Sequence, residues 1–298
     1  MLNKNNDFLP IIALSLVALF YTILSIASRF LHVGFGDLTQ VYVRIILGCL
    51  VSTIIFKKKI DFNKFTKISF SDWFWLLIMG VFGYGLSVYF VTLASLNTKL
   101  VNISVIASTL PVFVYPLTIV LLKDKFDIKK LIFILLSIYG VSILSFKSLI
   151  PNINLYELGE LYAVISVFFW GFWSVGRQKL STFLNNSEIS VLVMFIAGIS
   201  TYIFSIIKGE SLNMGAFSIP IVLVGLAIGV FLNIFATFLE NYAFGKVKNL
   251  VLANQILSLE NIYALIIGYL FYSEVIGLYE FIGGVVVLTS VYLASRIK

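Results

Sequence analysis

Ten apolar runs, separated by connectors too short to form a domain, constrain this chain more than any other feature. They lie near 9–28, 39–56, 73–96, 100–122, 131–147, 157–178, 189–207, 219–244, 250–272 and 277–296. A helix needs about 20 apolar residues to cross a hydrocarbon core about 30 Å thick. Lipid offers no hydrogen-bond partner, so such a run becomes a helix, which satisfies its own backbone. The composition agrees: 60% of the residues are hydrophobic and 12% are charged, roughly half the charged share of a soluble domain. The first run carries no cleavage pattern after it and is expected to be a retained helix. The longest connector, KKKIDFNKFTKISFSD at 57–72, is a basic loop.

The charges sort by side. If the N-terminus is cytoplasmic, sixteen of the 21 lysines and arginines fall on the cytoplasmic face. The opposite face holds Arg29, Lys99, Lys147 and Lys208, and Arg44 lies inside the second run. Short loops rich in Lys and Arg stay cytoplasmic. Both termini are therefore expected inside a bacterial-type cytoplasmic membrane. The net charge of +7 follows from this bias, and no nucleic-acid partner is expected. The single cysteine, Cys49, allows no disulfide framework, and the single histidine, His32, allows no His-based metal cluster. Trp73, Trp75, Tyr272 and Tyr279 are expected in interfacial aromatic belts.

The two halves of the sequence match. Shifted by 150, LVNISVIASTLPVFVYPLTIVLLKDKFD (100–127) falls on LVLANQILSLENIYALIIGYLFYSEVIG (250–277), with Asp124 opposite Glu274. LFYTILSIASR (19–29) similarly aligns with FFWGFWSVGR (168–177). The repeats are set at 1–150 and 151–298, five helices each. Five is odd, so the second repeat enters the membrane from the opposite side. The expected fold class is an all-α membrane protein of ten transmembrane helices in two inverted five-helix repeats. Such repeats hold a binding site near the midplane between them, exposed alternately as one rocks against the other.

The chain resembles the drug/metabolite transporter superfamily, in its EamA branch. The resemblance is carried by VYVRIILG around Arg44, by Trp170 and Gly171, and by two acid-bearing hairpins, at Asp124 and Glu274. Gly-bearing spans follow those hairpins, with Gly140 in one and Gly283 and Gly284 in the other. Tyr21-Thr22 stands where the second repeat has Trp170-Gly171. The resemblance implies a metabolite carrier, often an exporter, and fixes no substrate.

Polar residues inside the apolar runs carry the functional reading. Glu260 lies about ten residues into the ninth run, where an ionised side chain costs on the order of 2.5–3.5 kcal/mol. It reads as a protonatable coupling group, as a contact for a cationic part of a solute, or as a lock between two helices. At about 100° per residue, Asn254, Ser258 and Asn261 share one face, and Glu260 lies off it. The eighth run carries a stripe of Asn233, Thr237, Glu240 and Asn241 that lines an inner vestibule if it faces water. Arg44 reads as a fork for a carboxylate or phosphate, as a side chain snorkelling outward, or as an ion-pair partner of Glu260. Ser166, Trp170, Trp173 and Arg177 fall within one narrow stripe of the sixth run, and Tyr21 matches Trp170 in the first half. Aromatic faces suit flat rings or organic cations, and plain helix packing is the alternative. GLAIG (225–229) and GVFGYG (80–85) read as close-packing motifs. Pro111 and Pro116 are expected to bend the fourth run, with no counterpart in the ninth.

No Walker loop, zinc-protease motif or hydrolase elbow occurs, so neither enzyme activity nor a cofactor is expected. The expected partners are a small-molecule substrate and the bilayer, and the sequence leaves the oligomeric state open. The functional expectation is a secondary carrier of small metabolites. Amino-acid-like solutes lead: Arg44 for the carboxylate, Glu260 for the ammonium, Trp170 and Trp173 for the body. Proton coupling through Glu260 is a separate expectation. Organic cations or drugs, and a non-transporting sensor or assembly factor, are the alternatives.

Overall fold

A computed structural model of the chain describes residues 8–123, 126–149, 158–246, 256–257 and 259–296. Every long element among them is a helix. In chain order these are α1 (Phe8–His32), α2 (Asp37–Ile55) and α3 (Phe70–Asn97), then α4 (Leu100–Leu121) and α5 (Ile128–Phe146). They continue with α6 (Leu158–Lys179), α7 (Asn186–Lys208), α8 (Pro220–Phe244), α9 (Glu260–Tyr272) and α10 (Leu278–Arg296). Seven of them are long and apolar enough to cross a membrane, and Leu131–Leu144 and Leu278–Ser290 are shorter apolar stretches.

Local chemistry sets the helix ends. Ser69 caps α3 by accepting from Asp72 N, Asn185 and Glu188 form a capping box on α7, and Pro220 opens α8. Helix α2 has no side-chain cap of its own at Gly36. Glu210, from the connector after α7, supplies it by accepting from Leu38 N (3.0 Å), Thr39 N (2.9 Å) and Thr39 Oγ1 (3.1 Å). A carboxylate on the exposed N–H groups of a helix start is favoured by both hydrogen bonding and the helix dipole.

Two helices are interrupted. Helix α3 winds as a π-helix over Met79–Leu86, through the GVFGYG segment. Helix α4 breaks at Ser108–Thr109: Thr109 N bonds Ile106 O at 2.9 Å and Val112 N bonds Thr109 O at 2.8 Å. Pro111 has no N–H to continue the ladder. The bend does have a counterpart, contrary to the sequence expectation. Leu259 N bonds Ile256 O at 3.1 Å and Ile262 N bonds Leu259 O at 3.0 Å, so α9 begins at Glu260 after the same kind of turn. Lys123 and Ser273, also 150 apart, both have left-handed backbones.

Helices pack closely: α1 on α8, α3 on α6, α2 on α7, α5 on α10, and α4 on both α6 and α9. Lipid is as apolar as leucine, so these contacts rest on close approach and on interhelical hydrogen bonds. Large side chains such as Phe231, Ile203 and Leu270 remain exposed on the outside. Trp75 is not at the surface as expected. It is buried beside Gly176 of α6.

Helix α3 lies close on the backbone of α6, where a Cβ on Gly83 would lie 2.7 Å from Trp173 N. At Gly229 the nearest atom would be Arg44 Cδ at 3.5 Å. Gly83→Ala is expected to cost about 1–3 kcal/mol by overpacking, and Gly229→Ala to leave Tm unchanged or higher. Equal Tm shifts in detergent would contradict this packing.

Burial raises the Glu210 carboxyl, but its bonds from Thr39 N, Lys208 and Leu38 N outweigh that and hold it below its ordinary value. A depressed carboxyl stabilises the fold above its unfolded value, 4.5, and loses that contribution as pH falls through the folded one. Glu210→Gln is therefore expected to lower Tm at neutral pH. The gap to the parent should close only below about pH 4.5, as a pH series of melting curves would record.

Candidate functional site

The breaks in α4 and α9 meet at the centre of the bundle. Asn261 Nδ2 donates to Ser108 Oγ at 2.7 Å, joining one break to the other. Beside this contact lies a cavity of about 120 Å³ among α1, α2, α3, α4, α6, α8 and α9. About 10–15 Å³ on this measure holds one water, so the cavity takes a compact solute. Tyr21, Arg44, Tyr84, Trp170, Asn233 and Glu260 are its chemically distinctive walls.

Glu260 is the first residue of α9. Its side chain is 9% exposed, faces the cavity and has no hydrogen bond among the described residues. Arg44 projects from α2, is 2% exposed and, among the described residues, meets no carboxylate. Its Nη1 donates to Ser28 Oγ (2.7 Å) and its Nη2 to Thr92 Oγ1 (2.8 Å), while Nε has no partner. Each of these hydroxyls gives its own proton to a carbonyl of its helix, Leu24 O and Val88 O. They solvate the guanidinium without neutralising it. The ion pair of Arg44 with Glu260, one of three sequence readings, is not formed, and neither does Arg44 snorkel outward. The two opposite charges instead line one cavity separately.

The remaining wall is aromatic. The Tyr21 and Trp170 rings meet edge to face at 5.5 Å, and Tyr84 tilts against Trp170 at 6.2 Å. Tyr21 Oη donates to Glu240 Oε2 at 2.5 Å. Tyr84 Oη donates to Asn233 Oδ1 at 3.1 Å and accepts from Thr237 Oγ1 at 3.2 Å. The polar stripe of α8 is thus fixed by two tyrosines, one from α1 and one from α3. Reciprocal bonds tie α3 to α6 at the cavity wall, Ser87 Oγ to Ser166 O (3.0 Å) and Ser166 Oγ to Ser87 O (2.9 Å).

Of the residues singled out from sequence, Tyr21, Arg44, Trp170, Asn233 and Glu260 come together on the cavity. Thr237 and Glu240 stand one layer behind, reached through Tyr84 and Tyr21. Trp173 does not reach the cavity: it is fully buried, stacked behind Trp170 at 5.9 Å. Asn254 lies outside the described residues. Arg177, last of the α6 stripe, bonds Asn186 Oδ1 at the far end of the helix. Sequence reasoning missed Tyr84, read only as part of a packing motif, and the serines Ser28, Ser87 and Ser104. Their signal was a run of small hydroxyls inside apolar helices.

The EamA-like transporter family model matches residues 8–146 and, a second time, residues 157–296. The chain belongs to the EamA-like transporter family. None of the curated proteins compared with it matches. Seventeen chains of solved structures are similar. One, a crystal structure of a protein 12% identical, superposes with a TM-score of 0.65 over 97% of this chain and 99% of the other. At that identity the likeness shows the fold alone. The membership makes this a multi-pass membrane protein of a transporter family.

The Tyr84 hydroxyl is the most connected polar group of the aromatic wall. Tyr84→Phe removes the donor to buried Asn233 Oδ1 and the acceptor of Thr237. A loss of about 1–3 kcal/mol is expected, the cost of leaving buried polar atoms unpaired. Unfolding in detergent that matched the parent would refute it.

Proposed function

We propose that this protein is a secondary carrier that moves small zwitterionic metabolites, amino-acid-like solutes first among them, across a bacterial-type cytoplasmic membrane. The observation that carries the reading is the separation of Arg44 and Glu260 on one cavity. A buried charge without a partner is costly, and here two of opposite sign share a space sized for a small solute. A zwitterion supplies both partners at once: its carboxylate for the guanidinium, its ammonium for Glu260. The aromatic wall then holds the body of the solute.

The working cycle is alternating access between two inverted repeats, 1–150 and 151–298, of five transmembrane helices each, with both termini cytoplasmic. Support comes from the matched breaks at Thr109 and Leu259, from the left-handed residues Lys123 and Ser273, and from helix pairing. The contact of α1 with α8 is echoed by that of α6 with α3, as a twofold relation requires. Such a bundle has two near-equivalent arrangements, which a carrier needs. Export is the preferred direction, with Glu260 as the coupling group for protons. A second reading, a carrier of organic cations, is favoured by Tyr21, Tyr84 and Trp170 beside Glu260.

Reconstitution with labelled solutes tests both. For a zwitterion, Arg44→Gln and Glu260→Gln should each cut uptake at least about tenfold, the weight of one charge-assisted hydrogen bond. A cation carrier would lose transport with Glu260→Gln and Trp170→Ala but tolerate Arg44→Gln. Proton coupling predicts that an imposed pH gradient speeds the parent and leaves Glu260→Gln unmoved. Absence of solute movement under every gradient would favour a non-transporting role.

A further inference from the structure

Three carboxylates outside the cavity converge on one short connector, Thr98–Leu100, between α3 and α4. Glu274 accepts from Leu100 N at 2.9 Å and pairs with Arg29 at 3.0 Å. Arg29 also donates to Ser95 O (2.8 Å) and Thr98 O (3.0 Å), and its guanidinium lies 4.3 Å from the Tyr272 ring centroid. Glu280 takes Lys99 Nζ on both oxygens, at 2.8 and 2.7 Å. Glu160 accepts from Thr98 Oγ1 at 2.6 Å and from Asn102 Nδ2 at 2.9 Å. All three acids come from the second matched segment, and the connector with both cations comes from the first.

This lattice lies directly over the cavity. Arg29 follows the cavity residue Ser28. Ser95, Leu100 and Glu160 each stand about one helical turn, about 5.4 Å, beyond the cavity residues Val91, Ser104 and Ala163. Four cavity walls therefore end in it. The Arg29–Glu274 pair is not sealed: the Arg29 side chain is 20% exposed and that of Glu274 12%, whereas Glu280, which holds Lys99, is 3% exposed. Water can take the place of Arg29 for Glu274, and of Glu274 for Arg29, as they part, which a fully buried pair would not allow without stranding a charge.

We propose that this lattice is the gate at one end of the carrier: the Thr98–Leu100 connector closes the cavity, and solute passes at this end only when Arg29 and Glu274 separate. Glu274 is the positioning residue, because alone among the three carboxylates it holds both the connector backbone and the end of α1. The gate rests on the transport reading, since a protein that moved nothing would have no use for it.

The test needs no substrate. Cys49 is the only cysteine, so Cys49→Ala gives a thiol-free background, and Ser104→Cys puts one thiol on the cavity. A membrane-impermeant maleimide is applied from the Arg29 side. Glu274→Gln, which keeps an oxygen for Leu100 N, is expected to speed labelling about tenfold, the shift from losing one charge-assisted bond. Arg29→Gln breaks the pair from the other side and should do the same. Melting curves show that each variant is folded. Parent-like labelling in folded Glu274→Gln or Arg29→Gln would overturn the gate whatever the protein carries. Faster labelling in both, with no solute moved by the parent in liposomes, would leave the gate standing as a moving part and remove the carrier reading instead.

Discussion

A polar group between helices in lipid has no water to fall back on, and that scarcity organises this bundle. Hydroxyls return their protons to their own helix carbonyls, as Ser28 and Thr92 do, and present lone pairs across the contact. Amides reach between helices, as Asn261 does to Ser108 and Asn241 to Ser190. Where such links are satisfied, the structure is rigid. At the cavity, among the described residues, Glu260 accepts no hydrogen bond and the Arg44 Nε has no partner.

Close approach makes those links short enough to form. Gly83 lets α3 lie on the backbone of α6, which brings Ser87 and Ser166 into reciprocal contact and turns Tyr84 toward α8. The helix breaks act in the same direction. An unbroken α4 or α9 would carry its side chains past the centre in a regular spiral, whereas a turn at Thr109 or Leu259 stops one ladder and starts another. Glu260 is the first residue after such a turn, where the N-terminal end of a helix dipole favours a carboxylate.

The charged ends have a different character. Beside Thr98–Leu100, Arg29 and Glu274 are paired and partly wet. Arg44 and Glu260 are separate and buried. Charge that can be rehydrated suits a contact that opens and closes. Buried charge suits recognition, since only a bound partner can relieve it.

Much of this was legible before any fold was known. Apolar runs gave the helices, because burial in lipid is decided segment by segment. Arg44 and Glu260 stood out because their cost is local and large wherever they face. Tyr21 and Trp170 were legible through the internal match of the halves. Tyr84 was not, since a tyrosine in a glycine-rich helix signals packing as readily as a site. Trp173 shares the stripe of Trp170 but is turned into the protein by the α3 contact, a difference of angle that a helical wheel does not resolve. Glu274 stood out only as a hairpin acid matching Asp124, and Glu160 and Glu280 did not stand out at all, because their common target is a connector distant in sequence. The sequence by itself determined the membrane helices, the doubled pattern and the costly buried charges, all properties of single segments and their spacing. Only the tertiary structure decided which of those charges face each other, because pairing is set by how separate helices approach, and no local pattern encodes that distance.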